Sequence, residues 1–467
     1  MQESRFRKLT PGVVQHLAKI VGREHVSTVE ADRAQYTRDM SGHQAHWADA
    51  IIWPSSAEEV AAILNVAGEA RVPVTAWGAG TSLEGNPIPM YGGVVLSTER
   101  MQAIVAVHDA DFQVTVQPGI GYKDLNAKLA RYGLFFAPDP GANATIGGML
   151  ANNAAGIRTV KYGACKDNVL RLQVALADGS LIPCGSRSVK QASGYDLLHL
   201  FVGSEGTLGV ITEATLRLAP IPQHASAVVA AFPTVKAAVE AVIAVCGSGL
   251  EPAALEFIDA HHARMLSREN DIDLEALPTL FMEFHAAHGD VLEMDLDIVH
   301  DICLSCNAQK VSATGSPAER RRLWHARHHA YESAVRSHPG ESFVIVDVAV
   351  PISRYPALVA HVQHTLASED KLGYLLGHAG DGNLHVLLPF RDPRTYREAL
   401  ALNEKIVLQA LELEGTVTGE HGVGIGKARY MVREHGPALD LMRAVKQMFD
   451  PNGILNPGKI FPETPGL

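Results

Sequence analysis

Two short polar segments in the C-terminal half carry residue types that can do chemistry. In the first, His378 and His385 flank a turn-rich stretch of glycine, aspartate and asparagine, so two strand arms can bring their imidazoles together. The second carries Glu420 and His421. Two imidazoles, one carboxylate and open coordination positions suit Zn²⁺ or Mn²⁺. The chain has 22 histidines, so a structural or solvated role for the histidine pair stays open at this level.

Three glycine-rich motifs in the N-terminal half predict a binding surface for an anionic cofactor. The first, Gly78–Asn86, directly follows a short predicted strand, Val74–Trp77. Glycine lets such a loop turn tightly and present successive backbone N–H groups to an anion, and Thr81 and Ser82 add hydroxyl donors. The loop is neither the dinucleotide GxGxxG pattern nor a P-loop, because no Lys-Ser or Lys-Thr pair closes it.

The second and third motifs lie further along the same half. Pro138–Gly148, which continues to Gly156, is a run of small residues that opens a helix and offers both a helix N-terminus and a flat surface for a ring. Gly203–Thr212 is a turn that leads into a strand. Each motif alone is compatible with an ordinary turn. Three such motifs in this order within one domain indicate a common binding role.

Together these motifs resemble the FAD-binding domain of the vanillyl-alcohol oxidase type, in the branch of FAD-linked D-2-hydroxy acid dehydrogenases. The resemblance covers nearly the whole chain and implies an α+β fold. The implied fold consists of a two-part FAD-binding domain, an α+β cap domain for the substrate with an antiparallel sheet, and a helical C-terminal segment that returns to the FAD domain. With a proline-rich boundary at Ala219–Pro222 and a rise in glycine density from Gly415, we expect domains at 1–222, 223–415 and 416–467.

The resemblance also implies which residues surround the flavin. In the family, the first loop binds the FAD pyrophosphate and the other two motifs surround the ribityl chain, adenine and flavin. The matching residues are Gly78, Gly80, Thr81, Ser82, Asp139, Thr145, Gly148, Asn152, Gly156, Glu205, Gly206 and Ile211. Many relatives attach the flavin covalently to a histidine in or just after the first loop. This loop contains no histidine, so we expect non-covalent FAD.

For the reaction centre, the resemblance implies that His378, His385 and Glu420 hold a divalent metal and that His421 is the catalytic base. A neutral imidazole titrates near working pH and can accept the proton of a substrate hydroxyl. By its resemblance to a Leu-Trp-x-x-Arg pattern, Arg327 points at the substrate carboxylate, for which a guanidinium has the right bidentate geometry. The other charges of that segment are expected to form a solvated face.

The strand predicted at Phe343–Pro351 bears on the substrate. In relatives that oxidise 2-hydroxyglutarate, a lysine of this strand meets the second carboxylate, and the matching residue here is Ile345. An apolar side chain cannot pair with a distal carboxylate, which favours a small D-2-hydroxy acid, D-lactate above glycolate or D-2-hydroxybutyrate. A D-2-hydroxyglutarate or glycolate dehydrogenase, an oxidase, and a flavin subunit of a larger respiratory complex stay open as alternatives.

Composition narrows the partners. Forty lysines and arginines against 51 acidic residues give a net charge of −11, which argues against nucleic acid as a partner. No apolar run of about 18 residues and no secretory signal are visible, and five cysteines suggest a reducing compartment. We therefore expect a cytoplasmic protein, with peripheral contact to the inner membrane left open. The electron acceptor, a quinone, a cytochrome or an electron-transfer flavoprotein, is also open, as is a homodimer.

Hydrophobic periodicity predicts the elements that position these residues. Ser56 and Glu59 form a capping-box pattern ahead of an amphipathic helix. A long polar helix is predicted at Pro317–Val335. The Cys303–Cys306 pair has redox or metal-binding spacing, but no second such pair accompanies it, which favours two small, partly buried side chains on a helix.

Overall fold

A computed structural model of the chain describes residues 6–462. They divide into two units. Unit 1 comprises the residues up to Ala155, Ala164–Ile221 and the residues from Glu420 onward, whereas unit 2 comprises Gly156–Gly163 and Pro222–Gly419. The chain thus leaves unit 1 twice and returns to it twice.

The helices of the described residues are α1 Pro11–Val21, α2 Glu30–Ala34, α3 Ala57–Ala70, α4 Tyr122–Leu129, α5 Ile146–Asn152, α6 Thr159–Tyr162, α7 Leu198–Phe201, α8 Val235–Gly247, α9 Ala260–Glu269, α10 Gly289–Ser305, α11 Pro317–His328, α12 Ala330–Ser337, α13 Tyr355–Ser368, α14 Pro393–Glu412, α15 Met431–His435 and α16 Ala438–Phe449. Short 3-10 turns connect several of them.

The strands are β1 Val26–Ser27, β2 Ala50–Ile52, β3 Val74–Trp77, β4 Val94–Ser97, β5 Ile104–His108, β6 Gln113–Val116, β7 Leu134–Phe135, β8 Val169–Ala175, β9 Leu181–Gly185, β10 Val210–Arg217, β11 Ala219–Pro220, β12 His224–Ala231, β13 Ala254–Ile258, β14 Thr279–Ala286, β15 Lys310–Thr314, β16 Ser342–Ala349, β17 Tyr374–Gly377 and β18 Asn383–Phe390.

Unit 1 contains a four-stranded sheet in the order β1-β2-β4-β3 and an antiparallel five-stranded sheet in the order β5-β6-β10-β8-β9. Helix α3 packs Val60, Ile63 and Leu64 into the core beside the first sheet. It begins as predicted, because Ser56 accepts a hydrogen bond from the backbone N–H of Glu59. The reciprocal half of the capping box differs, since the Glu59 carboxylate accepts from Ser55 rather than from Ser56.

The C-terminal segment completes the edge of the first sheet. The N–H of Val74 donates to the carbonyl of Ile454 at 2.8 Å, and the N–H of Asn456 donates to the carbonyl of Val74 at 2.8 Å. Ile454 and Leu455 are fully buried in the same core as α3. The last residues of the described chain are therefore an integral part of unit 1.

Unit 2 is built on a seven-stranded antiparallel sheet in the order β15-β12-β14-β13-β17-β18-β16. Side chains alternate between the two faces of a strand. The register pairs Glu256 with Phe281 and Asp347 with His385, which puts these four side chains on one face. Ile345 belongs to the same face, because it lies two residues from Asp347.

Helices α9, α11 and α12 cover the apolar part of that face, through residues such as Leu266, Ala326 and Ala334. The single helix predicted at Pro317–Val335 is wrong in one respect. The structure has two helices, α11 and α12, separated at His329, whose φ of −101° and ψ of 28° are not helical. The break redirects the chain while both helices keep an apolar contact with the sheet.

None of the helices within residues 6–462 combines the length and apolarity needed to cross a membrane. All five cysteines are free thiols. Cys303 is buried in α10, where burial raises the pKa of its thiol to about 12, and Cys306 follows the end of that helix. This placement agrees with the structural interpretation of the pair.

Candidate active site

The first glycine loop of unit 1 leaves a row of donors unused. Gly80 adopts the left-handed conformation, with a φ of 69°, just after strand β3. Within the described residues, the backbone N–H groups from Gly78 to Ser82 donate to no protein acceptor. Successive unused N–H groups around a left-handed residue form a concavity that suits a phosphate. The loop therefore fits the pyrophosphate of FAD.

The second motif lies directly against the first. Thr145 caps helix α5 by accepting a hydrogen bond from the N–H of Gly148. A Cβ atom on Gly78 would lie 2.2 Å from the Thr145 hydroxyl oxygen, so only glycine fits at that position. The close approach explains why the loop after β3 must contain a glycine there.

The third motif is joined to the second by main-chain hydrogen bonds. The N–H of Gly203 donates to the carbonyl of Leu150 at 2.9 Å, and the N–H of Glu205 donates to the carbonyl of Ala151 at 2.8 Å. The three glycine motifs, distant in sequence, therefore meet in one part of unit 1. Asp139 and Ile211 are buried in unit 1, and Gly156 begins the short segment assigned to unit 2.

Glu205 holds the returning C-terminal segment. Its buried carboxylate accepts hydrogen bonds from the Asn86 side chain at 2.7 Å and from the backbone N–H groups of Val423 and Gly424 at 2.6 and 2.9 Å. Burial is the largest influence on the carboxyl group and raises its pKa, although these donors oppose the shift. The side chain of Asn456 donates to the Glu205 carbonyl at 2.7 Å.

His421 is anchored to the flavin motifs through its main chain. The Asn152 side chain, at the end of α5, donates to the His421 carbonyl at 3.3 Å. This contact lies within unit 1 and involves the backbone carbonyl of His421 rather than its imidazole. Glu420 immediately precedes His421 in the chain.

The structure brings His378 and His385 together in unit 2. His378 follows β17, His385 lies in β18, and a tight turn through Gly382, with a φ of 70°, joins the two arms. The ring centroids are 5.3 Å apart at an interplanar angle of 86°. Both residues are buried. Two nearly perpendicular, buried imidazoles fit a divalent metal of the Zn²⁺ or Mn²⁺ class.

A carboxylate that sequence reasoning missed lies next to this pair. Glu256, in the middle of β13, is fully buried. Its Oε1 is 2.7 Å from the Nδ1 of His378, and its Oε2 accepts a hydrogen bond from Arg327. The only sequence signal was a single acidic residue within an apolar strand, which requires a compensating partner.

Arg327 differs from the other arginines of α11. Its side chain is buried, whereas Arg321 and Arg322 are exposed, in line with the expected solvated face. One terminal nitrogen of Arg327 binds Glu256, while the buried Nε has no hydrogen-bond partner within residues 6–462. A buried guanidinium with an unused donor suits a ligand carboxylate.

Asp347 is the second missed carboxylate. It is fully buried opposite His385, with its Oδ1 3.6 Å from the His385 Nδ1. The Asn383 side chain donates to Oδ1 at 2.7 Å. Oδ2 accepts from the Thr418 hydroxyl at 2.7 Å and from the N–H of Gly419 at 2.8 Å. Asp347 thus connects the histidine hairpin to the last residues of unit 2.

Comparison with known proteins defines the class of the chain. A family profile described as FAD binding domain matches residues 48–185, and one described as FAD linked oxidases, C-terminal domain, matches residues 221–460. Solved structures of alkyldihydroxyacetonephosphate synthase and of 4-ethylphenol oxidase from Gulosibacter chungangensis share the fold. Each has a TM-score of 0.77, at 19% and 17% identity, over 97% of this chain and 86% and 97% of theirs. The chain is a two-domain flavoprotein with the vanillyl-alcohol oxidase type of fold, as predicted.

Curated relatives narrow the class further. A probable mitochondrial D-lactate dehydrogenase of Danio rerio is 38% identical over 96% of this chain and 91% of its own length. A mitochondrial D-lactate dehydrogenase [cytochrome] of Arabidopsis thaliana is 41% identical over 89% and 73%. The glycolate oxidase subunit GlcD of Bacillus subtilis is 35% identical over 97% of each chain. The chain belongs to the FAD-linked oxidase family.

Proposed function

We propose that the protein is an FAD-dependent dehydrogenase that oxidises a small D-2-hydroxy acid, above all D-lactate, to the 2-oxo acid. The observation that carries this proposal is the grouping of His378, His385, Glu256 and Arg327 in the buried interior of unit 2. It combines imidazole ligands for a metal with a guanidinium for a carboxylate, which are the two features that a 2-hydroxy acid requires. The names of the relatives from Danio rerio and Arabidopsis thaliana agree with this substrate class.

The flavin is proposed to bind without a covalent bond to the three glycine motifs. The unused N–H groups from Gly78 to Ser82 would hold the pyrophosphate, and Thr145 and Gly148 lie against that loop. The other residues proposed to contact FAD are Asp139, Asn152, Gly156, Glu205, Gly206 and Ile211. When bound, FAD supplies the hydride acceptor for the oxidation.

We propose His378, His385 and Glu420 as the ligands of a divalent metal, zinc or manganese. Support for Glu420 comes from the chain itself: Gly419 is fixed to Asp347, Asp347 lies opposite His385, and Glu420 is the next residue. When bound, such a metal lowers the pKa of a coordinated hydroxyl and fixes its orientation.

Two further side chains complete the proposed chemistry. Arg327 binds the substrate carboxylate through its buried guanidinium, which restricts the orientation of the bound substrate. His421 accepts the hydroxyl proton on a ring nitrogen, and its backbone is held by Asn152. Ile345, half-buried on the same sheet face as His385, offers no partner for a second carboxylate and limits the substrate to a small monocarboxylate.

The electrons are proposed to pass to an external acceptor. A cytochrome agrees with the name of the Arabidopsis thaliana relative, and a quinone or an electron-transfer flavoprotein are the other candidates. The free thiols fit a reducing cytoplasm. A quinone acceptor would place the working enzyme at the surface of the inner membrane.

A second candidate is a flavin subunit of a glycolate-oxidising complex. The glycolate oxidase subunit of Bacillus subtilis, which matches over 97% of both chains, favours it. In that case, the isolated chain would bind FAD but reduce it slowly with any single hydroxy acid.

Anaerobic flavin bleaching separates these functions. The purified chain is mixed with D-lactate, L-lactate, glycolate or D-2-hydroxyglutarate, before and after EDTA treatment that removes all bound metal. We expect rapid bleaching by D-lactate that is lost after EDTA and restored by Zn²⁺ or Mn²⁺. Selectivity for L-lactate, or full activity without metal, would refute the proposed mechanism.

A further inference from the structure

We propose that Glu256 is a positioning residue that couples the carboxylate-binding arginine to one of the metal-binding histidines. The inference rests on the proposed function and deepens it. Glu256 lies in β13, far in sequence from both partners, and touches them through different oxygens of one carboxylate. It is not itself a ligand of the substrate or the metal.

The burial of Glu256 has an energetic cost that a purely structural role does not explain. The side chain is fully buried, and the neighbouring residues on its sheet face include Ile258, Phe281 and Leu376. A carboxylate in such an environment loses its hydration, and the loss must be offset by charged or hydrogen-bonded partners. Replacing a buried charged group and its partners by apolar residues is often neutral for stability. The presence of Glu256 with His378 and Arg327 therefore indicates a role other than stability.

The geometry fixes the tautomer of His378. An ionised carboxylate can only accept hydrogen bonds, so the Nδ1 of His378, 2.7 Å from Oε1, carries the proton. The lone pair then lies on Nε2, the ring nitrogen that we propose as the metal ligand. Carboxylates that accept from metal-binding histidines also fix the ring orientation and raise its basicity.

The same carboxylate fixes Arg327. The Oε2 atom accepts from one terminal nitrogen, which leaves the unused Nε and the other donors of a rigid, planar group in one orientation. A single side chain therefore sets both the imidazole that faces the metal and the guanidinium that faces the substrate carboxylate. Distances within the substrate between hydroxyl and carboxylate are fixed by its covalent structure, so this coupling selects 2-hydroxy acids.

The chain offers a matched control. Glu283 lies on the neighbouring strand β14 and on the same sheet face, is buried, and also contacts a histidine, with its Oε1 2.6 Å from the Nε2 of His285. Its hydrogen-bond partner is His285 and its other charged neighbours are Arg158 and Arg320, not His378 or Arg327. Glu283→Gln therefore removes an equivalent charge without touching the proposed coupling.

The test compares metal binding in FAD-loaded protein stripped with a chelator and titrated with Mn²⁺. Glutamine has one acceptor oxygen, whereas His378 and Arg327 each need an acceptor from this side chain. Glu256→Gln should therefore weaken Mn²⁺ binding about 10- to 100-fold. Glu283→Gln should stay within about twofold of the parent, since it lies outside the coupling. Equal weakening in both variants, or none in Glu256→Gln, overturns the inference.

Steady-state kinetics at saturating Mn²⁺ give a second readout. Glu256→Gln should raise the KM for D-lactate at least about tenfold while kcat changes less, because the base and the flavin motifs are untouched. A fall confined to kcat contradicts the proposed positioning role.

Glu256→Gln leaves the buried guanidinium of Arg327 poorly paired, and this can prevent folding. A second pair of variants tests the inference in that case. Glu256→Met with Arg327→Met removes both charges and is compared with Arg327→Met alone. The double variant should bind Mn²⁺ at least about tenfold more weakly, since Nδ1 has lost its acceptor. Equal affinity refutes the inference. If the parent protein binds no metal, the proposed function fails as well, whereas a normal parent with unaffected variants refutes the coupling alone.

Discussion

The backbone N–H of Gly419 donates a 2.8 Å hydrogen bond to Oδ2 of the buried Asp347 carboxylate. This contact fixes the last residue of unit 2, and Glu420 is the next residue in the chain. Asp347 also faces His385 across the β16–β18 pair. Asp347 therefore holds the residue that precedes Glu420 and also lies beside the imidazole of His385.

Asp347→Asn should therefore weaken metal binding. The amide retains one acceptor oxygen and turns an NH₂ group toward the donors of Thr418, Gly419 or Asn383, which leaves a buried donor unsatisfied. We expect roughly tenfold weaker binding of Mn²⁺ with normal FAD content, measured by metal titration and flavin absorbance. Asp370→Asn, at an exposed left-handed position that asparagine tolerates, should match the parent protein.

His421→Asn should separate flavin binding from catalysis. Its backbone hydrogen bond from Asn152 does not depend on the side chain, so FAD content should be unchanged. Loss of a general base typically lowers the rate about 10²- to 10⁴-fold, which stopped-flow bleaching with D-lactate will measure. His435→Asn, at the end of α15, is the control. Flavin reduction near the parent rate would refute the assignment of the base.

Arg327→Lys should impair substrate binding. Lysine keeps the charge that Glu256 requires but cannot form a bidentate contact with a carboxylate. We expect kcat/KM for D-lactate to fall about 10- to 100-fold, mostly through KM. Arg321→Lys, an exposed position of the same helix, should leave both constants unchanged. A normal KM in Arg327→Lys would assign the substrate carboxylate to another group.

Ile345→Lys should broaden the substrate range. Ile345 is half-buried beside Leu387 on the face that carries His385, so a lysine there can direct its ammonium group toward the same space. The ratio of kcat/KM for D-2-hydroxyglutarate to that for D-lactate should rise at least about tenfold, as expected for a new charged contact. An unchanged ratio in a variant with full FAD and metal content would show that Ile345 does not limit the substrate.

The stability of unit 2 should depend on pH through His262. This residue of α9 is fully buried, and burial, together with the charge of Arg327, lowers its pKa from 6.5 to about 3. Below pH 6.5 the unfolded chain binds a proton that the folded chain does not, so this contribution to the free energy of unfolding falls as the pH drops toward 3. His262→Phe removes that dependence.

Urea unfolding at pH 7 and pH 5 provides the measurement. Between pH 7 and pH 5, the free energy of unfolding of His262→Phe should fall by about 2 kcal/mol less than that of the parent protein. This follows from roughly 1.4 kcal/mol per pH unit below 6.5. His364→Phe, an exposed position of α13, should show no such gain. An equal pH dependence in the parent and in His262→Phe would contradict the assigned shift.

The sequence predicts those features of the fold and the site that depend on residues close together in the chain. The Ser56 cap, the glycine motifs and the turn between His378 and His385 all lie within short stretches, so residue types and spacing predict their geometry. The close approach of Gly78 to Thr145, by contrast, is visible only in the structure.

Partners set by strand register could not be predicted. Glu256 and His378 are 122 residues apart, and their contact depends on β13 pairing with β17. Asp347 meets His385 because β16 pairs with β18 in one particular register. A shift by one residue would turn each carboxylate to the other face of the sheet. The break at His329 was missed because the polar pattern continues through it.

The hydrogen bonds between the C-terminal segment and the flavin unit have a consequence for biosynthesis. Asn456 is bonded to the carbonyl of Asn86, 370 residues earlier, and neighbouring residues complete the edge of β3. While the ribosome translates unit 2, the nascent flavin-binding segments lack these final partners. Unit 1 therefore forms these contacts only after residues 454–456 have left the ribosome, and chains that stop before them lack this support for the flavin motifs.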